Sequence, residues 1–175
     1  MGILIFTARI HDLIHQKYEL EYKLAKLTKK TREMAQYSSL VANGGITIGN
    51  LLSTPGSMMG RSMNYLAYAH NSAMQYMQQN APMMQQMYMQ QMGVQQNPQQ
   101  QQYMNNYIMR SLYVQGRDMA AQIETKNLKE EEEKMASQKA QLEAAIAAIN
   151  AELESTKKAR SEDAQNWKPN YTGQA

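Results

Sequence analysis

Apolar residues recur every three or four positions from the start of the chain. With Ile3 at position a of a heptad, the seam runs Ile3, Phe6, Ile10, Leu13, Lys17, Leu20, Leu24, Leu27, Thr31, Met34, Ser38 and Val41. Every d position is apolar, and so are half of the a positions. A stripe of that period predicts one continuous helix over residues 1–42 that needs a partner helix along its length. At ~1.5 Å per residue it is a rod of roughly 60 Å, too long for the core of a small compact domain. The polar a positions Lys17, Thr31 and Ser38 weaken the seam but can fix register or oligomer state.

The pattern then breaks. Asn43-Gly44-Gly45 supplies the left-handed conformation that ends a helix, and residues 43–54 read as a Gly-rich ordered loop with a short β-like patch, Ile46–Asn50. Thr54-Pro55 reads as an N-cap followed by proline in the first helical turn. Behind it a second, softer stripe recurs at helical spacing: Met59, Met63, Leu66, His70, Ala73, Met77, Asn80, Met84, Met87, Gln91 and Val94. Pro82 predicts a restart or kink within it. Asn97-Pro98 is another cap signal, the glutamine-rich residues 95–102 read as a linker, and Gly116 marks a break. Residues 117–165 predict a last long helix with the seam Leu128, Met135, Leu142, Ile146, Ile149 and Leu153. Glu130–Lys134 and Glu154–Lys158 support it at i,i+4. Ala140, Ala144, Ala145, Ala147, Ala148 and Ala151 add helix propensity and would allow a close helix approach. Residues 166–175, with Lys168-Pro169, form a tail that carries the chain's one Trp, Trp167.

The fold class is therefore all-α: an elongated coiled-coil or helical bundle with long terminal helices flanking a Met/Gln/Tyr-rich helical middle over residues 55–116. Composition sharpens the picture of that middle. The chain holds 16 Met and 11 Tyr against one Phe and one Trp, and Met suits adaptable packing or binding surfaces. No acid lies between Glu33 and Asp118, and from Asn43 to Met109 the sole charge is Arg61. A helix so poor in charge is badly matched to water unless something covers it. The flanks behave differently. Lys23, Lys26, Lys29, Lys30 and Arg32 form a basic turn, and Glu130 to Glu133 an acidic run that is a natural partner for it within or between chains.

Candidate chemistry is sparse. His11-Asp12-Leu13-Ile14-His15 imitates the spacing of zinc proteases, but both histidines fall on the outer b and f positions and Asp replaces the usual Glu. They read as solvent-facing. Met74, Met77, Met84, Met87, Met89 and Met92 have spacings that could hold Cu(I), a soft ion, yet half of them follow the helical stripe and read as packing. No cysteine is present, which excludes disulfides, a thiolate nucleophile and Cys-based metal sites. There is no Gly-rich phosphate loop, Gly-x-Ser-x-Gly elbow or nucleophile–base pair, and the basic turn lacks the stacking aromatics of a nucleic-acid reader. The expectation is a non-enzyme without cofactor or resident metal and with no specific nucleic-acid partner. The apolar opening is too short for a signal-peptide core, and no run reaches the ~20 residues of a membrane span. The expected location is cytoplasmic, or exported by a signal-independent route, with no crossing of a membrane and contact with its surface left open.

The expected role is structural: self-assembly with copies of itself into a fibre, tube, ring or coat. The expected interface is Ile3, Phe6, Ile10, Leu13, Leu20, Leu24, Leu27, Met34 and Val41 on the first helix, Met59, Met63, Leu66, Met77, Met84 and Met87 in the middle, and Leu142, Ile146, Ile149 and Leu153 on the last. In plan the chain resembles the axial proteins exported by flagellar and type III secretion systems, which also have helical termini that co-assemble, a divergent middle, little or no cysteine and no cleaved signal. That resemblance implies an alternative, an exported component or effector that meets another assembly component, a membrane or a host partner. A third reading is a Cu(I)-binding protein using the Met cluster.

Overall fold

The heptad stripe becomes one uninterrupted helix, α1 (Gly2–Ala42), in the computed structural model of the protein. The structure describes residues 2–42, 46–92 and 97–166, and among these all regular structure is helical. Short 3-10 turns at Ile48–Ser53 and Gly56–Met58 lead into α2 (Met59–Met92), and α3 (Pro98–Asn166) completes the chain. Long helices pack together in a bundle-like arrangement within two compact units. The terminal unit comprises residues 1–31 and 133–175, and the central unit residues 32–132.

In the terminal unit, every seam position of α1 from Ile3 to Thr31 is buried or half-buried, and Leu13 is fully enclosed. The cover comes from α3, whose Met135 is buried and whose Leu142, Ile146, Ile149 and Leu153 are half-buried. Cross-helix contacts fix the direction. Thr31 Oγ1 lies 3.9 Å from Met135 Sδ, and Arg9 donates through Nε and Nη2 to Glu152 Oε1 at 2.9 and 2.6 Å. A Cβ on Gly2 would lie 2.5 Å from Asp163 Oδ2. As numbering rises along α1 it falls along α3, so the two segments run antiparallel. The alanines do not line this seam as expected. Ala140, Ala144, Ala147, Ala148 and Ala151 face outward and only Ala145 is half-buried, because the larger Leu and Ile side chains occupy the inner face. Their contribution is helix propensity.

The central unit is built on smaller residues. Its buried stripe on the entry to α2 is Met58, Ser62, Tyr65, Ala69 and Ala73, one residue earlier than the expected Met59, Met63, Leu66 and His70. The register follows from how closely α3 approaches. Gly116, in the interior of α3, faces Ala73 so tightly that an added Cβ would lie 2.7 Å from Ala73 Cα and 3.2 Å from Tyr76 Cβ. Placing Ser, Ala and Gly on the inner face permits that approach, and the bulkier methionines turn outward. Further along, Ala81, Ile108 and Leu112 form a second core packed by Tyr76, Met77, Met84, Tyr88 and Met104. The end of α1 joins the unit through Met34, Tyr37 and Val41, all buried.

Several boundaries differ from the sequence expectation. The helix expected from Arg117 begins at Pro98, and Gln99 to Gln102 form its first turns instead of a linker. Asn97 starts it: its carbonyl accepts from the amides of Gln100 and Gln101, and its Oδ1 accepts from the Gln99 amide at 3.4 Å. Glutamine is a good helix former once such a start exists. Gly116 does not break the helix either; its ~1 kcal/mol propensity cost is offset by the packing it allows. Thr54 does not cap α2, since its hydroxyl donates back to the Asn50 carbonyl at 3.1 Å. The helix runs through Pro82, which is exposed. The expected cap at Asn43-Gly44-Gly45, Val94, linker residues 95–96 and Trp167 in the tail lie outside the described residues.

Candidate interaction surface

The one charge of the uncharged middle is not left in water. Arg61 donates from Nε to Glu124 Oε1 at 2.6 Å and from Nη1 to Glu131 Oε1 at 2.7 Å. Its guanidinium carbon stands 5.7 Å from the centre of the Tyr37 ring, and Tyr37 donates its hydroxyl to the same Glu124 oxygen at 3.1 Å. The carboxylate thus joins α1, α2 and α3 at one point. Burial draws the Arg61 pKa down, but the hydrogen bonds and charges of Glu124 and Glu131 outweigh it and leave it raised. Burial, followed by the charge and hydrogen bond of Glu124, raises the Tyr37 phenol. Nearby, Arg117 donates to the Ile46 carbonyl at 2.9 Å and pins the connection that returns toward α2. The sequence signal for this centre was a lone Arg in an uncharged stretch, but its acceptors lie far along the chain and no spacing rule links them.

Around this network, α2 and α3 present apolar groups outward. Met63, Tyr68, Met83, Met87 and Met89 on α2 are each about half exposed or more, as are Tyr103, Tyr107, Met119 and Ile123 on α3. Some of these converge. A groove of about 280 Å³ runs between the helices, with Tyr68, Ser72, Gln75, Tyr76 and Gln79 on one side and Gly116, Met119, Ala120 and Ile123 on the other. No charged residue lines it. Its floor exists because Gly116 and Ala120 have almost no side chain, while Tyr68, Met119 and Ile123 form rims 49%, 50% and 49% exposed.

The expected interface residues therefore divide. Ile10, Leu13, Met34 and Val41 are buried within the chain, and Ile3, Phe6, Leu20, Leu24, Leu27, Leu66, Met77, Met84, Leu142, Ile146, Ile149 and Leu153 are half-buried. Met59, Met63 and Met87 remain on the surface. Tyr68, Met119 and Ile123, which line the groove, were not singled out by periodicity because they fall beside the stripes.

His11 and His15 are exposed on the outer face of α1, and His15 faces Glu19 at 3.5 Å. His70 pairs with the Tyr113 hydroxyl at 2.9 Å, ring edge to ring face. Among the described residues no three His, Cys, Asp or Glu side chains gather where a metal ion could sit. Of the methionines with copper-like spacing, Met77 and Met84 are engaged in the core around Ala81. No helix among the described residues is long and apolar enough to cross a membrane. Set against models of known protein families, curated proteins and solved structures, the chain matches none.

Proposed function

We propose that this chain is a structural, non-enzymatic subunit that assembles with copies of itself through the apolar surface of its central unit. In this reading the terminal helices form an antiparallel coiled coil within each chain, and the Met- and Tyr-rich face makes the contacts between chains. The observation that carries the proposal is the uncharged groove rimmed by half-exposed Tyr68, Met119 and Ile123, with Met63 and Met87 also exposed on α2. Contiguous apolar patches of more than a few hundred Å² are rare on soluble monomers and usually mark interfaces. Repeated identical contacts between copies are the common way to cover them. Thioethers supply a polarisable surface that adapts to a neighbour.

Light scattering on the purified chain at micromolar concentration should report a mass of several chains or a polydisperse polymer. Changing Tyr68→Lys together with Ile123→Lys places two charges on exposed rims and should lower that mass while leaving the helical circular dichroism intact. A wild-type chain that runs as a well-folded monomer overturns the proposal.

A further inference from the structure

A second groove, in the terminal unit, has the opposite chemistry. It lies between α1 and α3 with a volume of about 450 Å³. One wall is Lys23, Lys26 and Lys30, the floor is Leu27 and Leu142, and the far wall is Gln138 and Gln141. The three lysines are exposed, and none makes an ion pair among the described residues. Neighbouring acids are otherwise engaged: Glu19 faces His15, Glu21 faces Lys17 and Glu143 faces Lys139. The groove is therefore apolar at the bottom, positive along one edge and neutral along the other.

We propose that this groove docks an acidic amphipathic helix of a partner protein. The lysines stand at i, i+3 and i+7, which spreads them along α1 by ~10 Å, two turns of helix. A helix lying alongside α1 repeats carboxylates at the same rise when acids occupy i, i+3 or i+4, and i+7 on one edge. The adjacent apolar stripe of that helix meets Leu27 and Leu142, which are not fully buried within the chain. Its opposite edge meets two amides that accept or donate without demanding a charge. This is the helix-in-groove mode of recognition, with charge selecting the partner and apolar contact holding it. The chain's own acidic run is a poorer occupant. Lys129 and Lys134 bracket it, and Glu131 is already held by Arg61.

The test uses the full chain and a fluorescein-labelled synthetic helix carrying Glu at i, i+3 and i+7 beside a Leu stripe. Fluorescence anisotropy should show saturable binding that weakens as salt rises, because exposed charge pairs are screened. A peptide of the same composition, scrambled so that Glu and Leu no longer share a face, should bind at least tenfold more weakly. Combining Lys23→Glu, Lys26→Glu and Lys30→Glu should cost at least tenfold in affinity with an unchanged melting curve, and Lys26→Gln alone a smaller part of that loss. Equal binding of the scrambled peptide, or no loss in the triple variant, overturns the proposal. Capture by anionic phosphatidylserine vesicles that displaces the peptide would overturn it in favour of a lipid surface. A fall in the mass of the wild-type assembly caused by the triple variant alone would overturn it in favour of a second copy.

Discussion

The two units of this chain solve the same packing problem with different side chains. The terminal unit encloses Leu, Ile and Met between two antiparallel helices and keeps its charges outside, where Arg9 pairs with Asp12 and Glu152 at 44–52% side-chain exposure. The central unit brings its helices together over Ser, Ala and Gly and draws the pair Arg61–Glu124 inward, at 27% and 15% exposure. Its methionines and tyrosines are left outside. A surface ion pair contributes ~0–1 kcal/mol, so the terminal unit depends on its apolar seam. A buried pair is weak evidence of net stability, but removing one partner is costly, so the central unit depends on an intact network. The first unit leaves Leu4, Ile5, Tyr18 and Tyr22 exposed, and the second leaves Met63, Tyr68, Met87 and Met119 so.

The largest effect expected from that contrast is at Leu13. It is fully enclosed, and Leu13→Asp places an unpaired carboxylate in the terminal seam, costing about 4 kcal/mol or more. Lys26→Asp, at an exposed position of the same helix, should stay within about 0.5 kcal/mol. Thermal melts followed by circular dichroism separate the two. Equal losses at both positions would mean that the seam is not what holds this unit.

In the central unit the corresponding change is Arg61→Met, which keeps much of the apolar stem but strips Glu124 of its cation. Loss of one partner of a buried pair costs roughly 3–5 kcal/mol, and residual exposure of the carboxylate lowers this to about 2–3 kcal/mol. The same change made to Arg9 should have a far smaller effect, since its partners are solvated. If denaturant titrations find the two arginines equivalent, the inward-charge description of the central unit fails.

Gly116→Ala probes the close approach. In an ordinary helix interior this substitution gains about 1 kcal/mol. Here the new methyl would stand 2.7 Å from Ala73 Cα, a backbone atom that cannot rotate away. Overpacking of that kind costs typically 1–3 kcal/mol, so the net change should be destabilising by up to about 2 kcal/mol. A stabilised Gly116→Ala variant would show that α2 and α3 can separate freely at this point.

The terminal half of this architecture is legible in the sequence because one rule governs it. Large apolar residues at 3.5-residue spacing, from Ile3 to Leu27, have to face a partner, and those positions are buried or half-buried. In the central unit that rule misleads. Counting methionines as inward-facing places Met59 and Met63 in the seam, whereas Ser62 and Ala69 occupy it. When helices meet closely, small residues mark the contact and flexible ones surround it, so hydrophobicity alone misses the register by one position. Gly116 reads as a helix breaker for the same reason: its partner Ala73 is a tertiary neighbour that no local pattern reveals. The groove beside Tyr68 is a consequence of that contact and was equally hidden.

Two buried tyrosines give the smallest and most discriminating comparison. Tyr37 and Tyr65 are 0% and 4% exposed, but only Tyr37 has a partner for its hydroxyl, Glu124; the Tyr65 hydroxyl makes no hydrogen bond within the described residues. At neutral pH, Tyr37→Phe should cost about 1–2 kcal/mol, because the lost bond is to a charged acceptor. Tyr65→Phe should be neutral or slightly stabilising, because it removes a buried polar group without a partner. Both phenols are raised from their ordinary 10.0, Tyr37 by burial and then by Glu124, and Tyr65 by burial and the acids Glu124 and Asp118 against the lowering effect of Arg117. A phenol raised in the folded state contributes stability that is complete below the unfolded value and is lost as pH rises through the folded one. Wild-type stability should therefore fall above about pH 10, and each Phe variant should shallow that fall whatever its effect at neutral pH. Melts at pH 7 and pH 11 test both halves of the argument. If Tyr65→Phe loses as much at pH 7 as Tyr37→Phe, the Glu124 hydroxyl contact is not what distinguishes them, and the network around Arg61 closes without it.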